Sequence, residues 1–257
     1  MFQSGLAPPA GGCVMFDGTL AGFARTVVVD ETRPVLPSTE LLRDDALYRL
    51  LLKVYGPDLV RSQLPVLVSQ WMKYYAMQLI PPVVVANLAH GVTWPLGLER
   101  LSFALHARGY LDGVRFEGAV TQVAVSDDPF ERFAPLLENL QQVIDRLSAY
   151  ADVPAAVLWG NAGDYLETCL RDLSAASDVS VVAGYGLLRE RLRPDGRRNP
   201  LFNAVSYIEK DGQTVRQRRT CCLSYRVEWV GRCEHCPLGA AVTPESPPDS
   251  TAARPAR

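Results

Sequence analysis

The chain has 257 residues, of which 48% are hydrophobic and 21% are charged. This composition is typical of a globular protein and excludes the disordered, collagen-like and disulfide-dense classes. The formal net charge of −2 is unlike that of a polycation, so we expect no nucleic-acid partner. The charge is uneven, because residues 181–257 hold 13 of the 26 Lys and Arg but only 8 of the 28 Asp and Glu.

The N-terminal segment lacks the features of a targeting sequence. Residues 1–37 are rich in Gly and Pro and are predicted to be an irregular lead-in, with one short strand pattern at 24–30. No part of the chain has the ~18–20 consecutive apolar residues needed to cross a bilayer. We therefore expect a cytoplasmic protein, in which thiols stay reduced and clustered cysteines indicate metal or redox chemistry.

The next part of the chain has helical patterns followed by strand patterns. Apolar residues recur at helical spacing from Ser38 to Gly56 and from about Leu59 to Ile80, and a short third helix is predicted after Pro81-Pro82. Apolar and polar residues then alternate between glycines over 100–125, which predicts two or three antiparallel strands.

Helical patterns return at Pro129 and are followed by a hairpin pattern. Helices are predicted from there through Leu147 and over about 154–173, and hairpin strands over 204–207 and 215–219. The predicted fold is α+β: mostly helical, with a small antiparallel sheet and a C-terminal cysteine-rich cluster loop. We expect one domain over 38–238, a cluster-binding segment at 216–238 and a disordered tail over 239–257.

Four of the six cysteines lie close together in the sequence. Cys221 and Cys222 are adjacent, and Cys233 and Cys236 form a C-x-x-C pair. This pattern indicates a metal site rather than four small core residues. Zinc prefers a closed tetrahedron of sulfurs, which adjacent side chains on extended backbone do not readily supply because they point to opposite faces. An iron–sulfur cluster is a larger object than a single ion, so its ligands need not meet at one point. The spacing therefore favours [2Fe–2S], while zinc and [4Fe–4S] both stay open.

The pattern Cys-Cys-x10-Cys-x2-Cys, preceded by Arg-Arg, resembles the FhuF-type ferric siderophore reductases. Weaker resemblances at Ser69–Tyr75, Leu158–Asn161 and Arg198–Leu201 extend the similarity over most of 40–238. The upstream half is also similar to aerobactin-type siderophore synthetases, which lack the cysteines. The resemblance implies that the four cysteines carry a [2Fe–2S] cluster. It also implies one-electron reduction of Fe(III) in ferric siderophores, usually hydroxamates, to Fe(II).

The sequence has no Walker A loop, no Gly-x-Ser-x-Gly motif and no complete dinucleotide fingerprint. We therefore expect the electrons to come from an external donor, either a ferredoxin-like protein or a flavin/NAD(P)H reductase. The resemblance also implies a substrate that uptake delivers at the inner membrane, so we expect that peripheral association with that membrane is compatible with the cytoplasmic location.

Arginines crowd the cysteines, and positive charge there would favour a reduced, more negative cluster or dock an acidic donor. The residues predicted for these roles are Arg218, Arg219, Arg226, Arg232 and His235. A preceding group of arginines at 189–198 is equally typical of a solvated basic face.

Other residues near the resemblance motifs have two interpretations. Trp71, Lys73 and Tyr74 are candidates for the substrate pocket, although Trp71 and Tyr74 share a helix face and would by default pack together. The isolated Cys13 and Cys169 are interpreted as ordinary residues.

Two alternative functions stay open at this point: a structural zinc-binding interaction module, and an iron–sulfur redox or iron sensor.

Overall fold

The computed structural model describes residues 14–123, 126–210 and 212–239. The helices are α1 Ser38–Leu41, α2 Asp44–Tyr55, α3 Pro57–His90, α4 Pro129–Arg132, α5 Ala134–Ala151, α6 Ala155–Ala176 and α7 Val182–Arg189. The strands are β1 Val35–Pro37, β2 Val92–Thr93, β3 Leu101–Leu105, β4 Leu111–Phe116, β5 Thr121–Gln122, β6 Val205–Lys210 and β7 Gln213–Arg218. Short 3-10 helices lie at Val14–Phe16, Gly18–Ala24, Leu98–Arg100 and Ser224–Arg226. The predicted mostly helical α+β fold is confirmed.

Helix α3 is the centre of the hydrophobic core. It is apolar on nearly all sides, with Leu67, Met72 and Leu79 fully buried, as is typical of a helix surrounded by other elements. It packs against α2, α5 and α6. Within the described ranges, no helix is both long enough and apolar enough to cross a membrane.

The sequence prediction for the end of α3 was wrong, because the helix continues through Pro81 and Pro82 to His90. Proline has no N–H, so the carbonyl of Gln78, four residues before Pro82, lacks its helical donor. The Thr26 hydroxyl donates a hydrogen bond of 2.9 Å to this carbonyl. That bond and the burial of the following apolar residues keep the helix continuous.

The strands form small antiparallel sheets with the orders β1-β3-β4, β2-β5 and β6-β7. The strands predicted within 100–125 are therefore present, but β5 pairs with β2 instead of extending the β3–β4 pair. The predicted strand at 24–30 is reduced to a bridge between Val27 and Val114. Cys13, Val125 and the predicted tail beyond Gly239 lie outside the described residues.

The β6–β7 hairpin packs against α6 at two glycines. A Cβ atom on Gly163 would collide with the Cβ of Ala204, and one on Gly160 would lie 3.0 Å from the Cβ of Thr220. Larger residues would hold the hairpin away from the helix. Since β7 ends three residues before Cys221, this close approach brings the cysteine segment to the helices.

We expect the substitution Thr26→Val to lower the free energy of unfolding by about 1–3 kcal/mol, because it leaves the Gln78 carbonyl without a donor. The matched substitution Thr26→Ser keeps the hydroxyl and should cost less. Urea denaturation measures both. Equal stability of the Val variant and the unmodified protein would contradict this role for the bond.

Candidate functional site

The four clustered cysteines meet beyond the end of β7. The Sγ atoms of Cys222 and Cys233 are 3.6 Å apart. Besides burial, the charges of the nearby Cys236 and Cys222 raise the pKa of the Cys221 thiol. Cys222 and Cys236 are buried, whereas Cys221 and Cys233 are partly exposed. The site therefore has one side in the protein interior and one side at the surface.

The cysteine loop turns at a left-handed residue, Leu223, directly after the adjacent cysteines. Leu223 has a φ of +65°, and the chain turns there into the 3-10 helix Ser224–Arg226. The Leu223 N–H donates to Cys221 Sγ at 3.3 Å, and the Ser224 hydroxyl lies 3.3 Å from Cys222 Sγ. This backbone conformation costs about 1–2 kcal/mol for a residue other than Gly. The turn places the Leu223 N–H and the Ser224 hydroxyl beside the sulfur atoms of Cys221 and Cys222.

Helix α3 holds Cys222 from the other side. Ser69 Oγ and Gln70 Nε2 donate to the Cys222 carbonyl oxygen at 2.9 and 3.1 Å. Lys73 Nζ lies 3.1 Å from Cys222 Sγ. Lys73 follows Gln70 by three positions and Ser69 by four, so it lies on the same side of the helix as both. Lys73, which the sequence suggested for a substrate pocket, is thus in direct contact with a cysteine.

The surroundings of Cys222 favour its thiolate. A hydrogen bond from the Cys233 thiol is the largest cause that lowers the pKa of Cys222, to about 3, and Lys73, Ser224 and Arg218 add to it against the effect of burial. The same contact raises the pKa of Cys233, and burial raises the pKa of Cys221. Because a thiolate is the form that ligates a metal, Cys222 is already held in its ligand state.

Arg218 connects the cysteine loop to α6. Its side chain is only 1% exposed, and its guanidinium donates to Asn161 Oδ1 and lies 3.3 Å from Asp164 Oδ2. Its main-chain N–H donates to the carbonyl of His235 at 2.9 Å, inside the C-x-x-C segment. One residue therefore ties β7, α6 and the loop together.

A polar stripe on α6 supports this arrangement. Asn161, Asp164 and Glu167 are three residues apart and lie on one helix face. Arg216 pairs with Asp164 at 2.8 Å and with Glu167 at 2.6 Å. Asn161 also donates to the Ser69 carbonyl at 2.8 Å, which links the stripe to α3. Sequence reasoning missed these residues, although polar side chains at every third position of an apolar helix were a signal for them.

The other residues predicted to surround the cluster lie at the surface. Arg219 is exposed and donates to the Phe202 carbonyl at 2.8 Å, and Arg226 is exposed. Arg232 donates to the Leu238 carbonyl at 3.1 Å, and His235 is partly buried, 3.7 Å from a Glu234 carboxylate oxygen. Their roles in tuning or docking stay predictions.

The three residues suggested for a substrate pocket have different surroundings in the structure. Trp71 is 3% exposed and stacks on Tyr75 at 5.8 Å between ring centres. It offers a ligand no accessible surface, so the pocket interpretation of Trp71 is corrected to core packing. Tyr74 stacks on Tyr110 at 5.3 Å and is partly exposed. Substrate roles for Tyr74 and Lys73 stay predictions.

The chemistry of the donor set suits an iron–sulfur cluster. Four soft sulfur donors lie within the segment 221–236, one of them is stabilised as a thiolate, and positive charge lies beside it. Across 14–123, 126–210 and 212–239, no three His, Cys, Asp or Glu side chains surround a single point as the ligands of one metal ion do. The thiols of Cys222 and Cys233 instead contact each other directly, with 3.6 Å between their sulfur atoms.

Comparison with known proteins agrees with this donor set. A family described as ferric iron reductase FhuF-like transporter matches residues 69–215, and the FhuF 2Fe-2S C-terminal domain matches 218–238. The second match confirms the predicted [2Fe–2S] cofactor. A ferric siderophore reductase of Escherichia coli (strain K12) is 26% identical over 207 residues, which are 79% of this chain and 75% of that protein.

Among solved structures, the aerobactin synthetases IucA and IucC of Klebsiella pneumoniae have TM-scores of 0.48 and 0.47 at 12% identity. The matches cover 67% and 68% of this chain. The chain spans only 38% and 36% of the length of those two structures.

Lys73→Met should lower the reduction potential of the bound cluster by about 60 mV, the one-electron equivalent of about 1.4 kcal/mol. The substitution removes the positive charge beside Cys222 Sγ that favours an added electron. Lys73→Arg keeps the charge and should shift the potential less. A redox titration followed by visible absorption measures the shift, and an unchanged potential in the Met variant would count against the contact.

Asp164→Asn should lower the free energy of unfolding by about 3 kcal/mol, because it leaves two buried arginines without this counter-charge. The control is Asp172→Asn, an exposed position on the same helix, where we expect less than about 1 kcal/mol. Urea denaturation compares the two variants. Equal losses would show that burial of the ion pairs does not matter.

Proposed function

This chain belongs to the family of FhuF-like ferric iron reductases, and we propose that it reduces the Fe(III) of a ferric siderophore to Fe(II) and so releases iron in the cytosol. The observation that carries the proposal is the site of four thiols, in which Cys222 contacts Lys73. The protein of Escherichia coli that it resembles is named a ferric siderophore reductase, and this chain is accordingly an oxidoreductase.

The chemistry of the substrate explains why reduction releases the metal. Siderophores bind iron through hard, anionic oxygen atoms, which favour the more highly charged Fe(III). One added electron lowers the charge of the iron and weakens these bonds, while the carrier stays intact. The electron comes from an external donor, for which we propose a ferredoxin-like protein or a flavin/NAD(P)H reductase.

The residues of the site provide the setting for this reaction. Cys221, Cys222, Cys233 and Cys236 would hold the cluster, which when bound supplies one-electron transfer. Lys73 and the nearby Arg218 offset the negative charge of the thiolates. Ser69 and Gln70 fix the backbone of Cys222. The partly exposed Cys221 and Cys233 leave one side of the site open to a donor and a substrate.

The finer features are part of the same proposal. We propose hydroxamate siderophores as substrates, a cytoplasmic location with peripheral contact to the inner membrane, and a reductase domain over 38–238 whose segment 216–238 binds the cluster. The continuity of β7 with the cysteine loop supports that segment. The 2Fe-2S match leaves the zinc module without support, and the name of the relative favours a reductase over a sensor.

Cys222→Ser and Cys233→Ser should each remove the visible absorption of the cluster and abolish reduction of a ferric trihydroxamate. The matched control is Cys169→Ala, which lies in the core on α6 away from the cysteine loop and should keep both. The assay is anaerobic, uses a chemically reduced ferredoxin as donor, and detects Fe(II) with a ferrous chelator.

Two results would refute the proposed function. The first is a Cys169→Ala control that loses reduction of the ferric complex and visible absorption as fully as the Cys222→Ser and Cys233→Ser variants do. The second is an unmodified protein whose dithionite-bleached cluster is not reoxidised by the ferric complex. Repeated turnover with excess ferric complex separates an enzyme from a sensor, because a sensor would be oxidised once and stop.

A further inference from the structure

A groove with a volume of about 520 Å³ lies beside the cysteine loop. One wall is the first two turns of α6, including Trp159 and Gly160. The opposite wall is the turn that follows α7, and Arg219 and Thr220, the two residues after β7, also line the groove. The groove brings together Leu158–Asn161 and Arg198–Leu201, two segments that are far apart in the sequence.

The groove has a surplus of positive charge. Its lining includes Arg193, Arg197, Arg198 and Arg219 and no Asp or Glu. Of these four arginines, only Arg197 has a carboxylate partner among the described residues, Asp195 at 3.6 Å. The buried Nε of Arg193 also has no hydrogen-bond partner in the described part of the chain. Guanidinium groups that lack a carboxylate partner bind carboxylate and other anionic oxygens of a ligand.

Two of the four arginines, Arg193 and Arg219, lie against aromatic rings. The Arg193 guanidinium lies 5.9 Å from the centre of the Trp159 ring, and that of Arg219 lies 6.0 Å from the Phe202 ring. The buried Asn199 amide donates to the carbonyls of Leu187 and Glu190, both at 2.7 Å, and so fixes the turn. A site built in this way loses little conformational entropy when an anion binds.

The groove is also next to the cysteines. Thr220 lines it and directly precedes the partly exposed Cys221, and consecutive Cα atoms are about 3.8 Å apart. Gly160 leaves room for the Thr220 side chain to lie against α6. A ligand in the groove therefore lies against the start of the cysteine segment.

We propose that this groove binds the ferric siderophore and prefers complexes with a net negative charge, such as hydroxamates whose backbone carries free carboxylates. The inference rests on the proposed function and specifies its substrate. The volume is within the range of about 300–1,000 Å³ that is typical of small-molecule sites. An acidic protein donor would instead need a broad contact surface of about 800 Å² on each partner.

The test measures binding apart from reduction, with gallium(III) complexes, which are not reduced. One probe is the gallium complex of a citrate-based dihydroxamate with free carboxylates, and the other is the neutral gallium complex of a cyclic trihydroxamate. Calorimetry on the cluster-loaded protein compares Arg198→Gln, Arg219→Gln and the double variant. The control is Arg191→Gln, an exposed arginine of the same turn that lies outside the groove. Thermal unfolding and the visible spectrum check that each variant is intact.

We expect the anionic complex to bind about tenfold more weakly to the double variant than to the unmodified protein, with less effect of salt on the remaining affinity. The neutral complex and the Arg191 control should change little. Unchanged affinity for the anionic complex, or equal loss for both complexes, would overturn the inference. The inference would also be overturned if the only change in the double variant were a higher apparent KM for a reduced ferredoxin.

Failure of the proposed function gives a different result. In that case the anionic gallium complex would still bind in an arginine-dependent way, whereas the corresponding ferric complex would not be reduced by the cluster-loaded protein.

Discussion

The guanidinium of Arg218 is buried between α6 and the cysteine loop, and a charge in such a place has to be balanced inside the protein. Asp164 and Asn161 provide that balance from α6, while the Arg218 main chain holds the loop at His235. The rest of the site depends on this arrangement. The hairpin must approach α6 closely enough for the contacts to form, which is why glycine occupies positions 160 and 163.

Cys222 is held by contacts from both helix α3 and the cysteine loop. The helix provides the carbonyl contacts and the ammonium of Lys73, and the loop provides the turn at Leu223 and the thiol of Cys233. The interior side of the site is thus rigid and positively charged, and its outer side is open. The arginine-lined groove begins where that outer side meets α6, so the negative charge of the thiolates and that of an anionic ligand are balanced by neighbouring sets of cations.

The sequence was sufficient to propose the cysteine site and to predict its [2Fe–2S] cofactor, because a spacing of thiols carries chemical information without the fold. It also predicted most helices, since their apolar periodicity is strong. It failed at Pro81-Pro82, where the donor that replaces the missing N–H is Thr26, more than fifty residues away. It also missed Asp164 and Glu167, whose importance comes from Arg216 and Arg218, partners that only the folded chain brings near. Trp71 was misjudged because helical spacing shows which residues share a face but not what covers that face.

The separation in sequence between the cysteines and the residues that support them has a consequence for biogenesis. Lys73 and Ser69 precede Cys222 by about 150 positions, and Asn161 precedes Arg218 by 57. During translation the helical body therefore leaves the ribosome before any of the four clustered cysteines. The faces of α3 and α6 that contact the cysteine loop can therefore be folded when the thiols emerge. A cluster-assembly machinery would then meet the thiols on a preformed surface rather than on a nascent, unstructured chain.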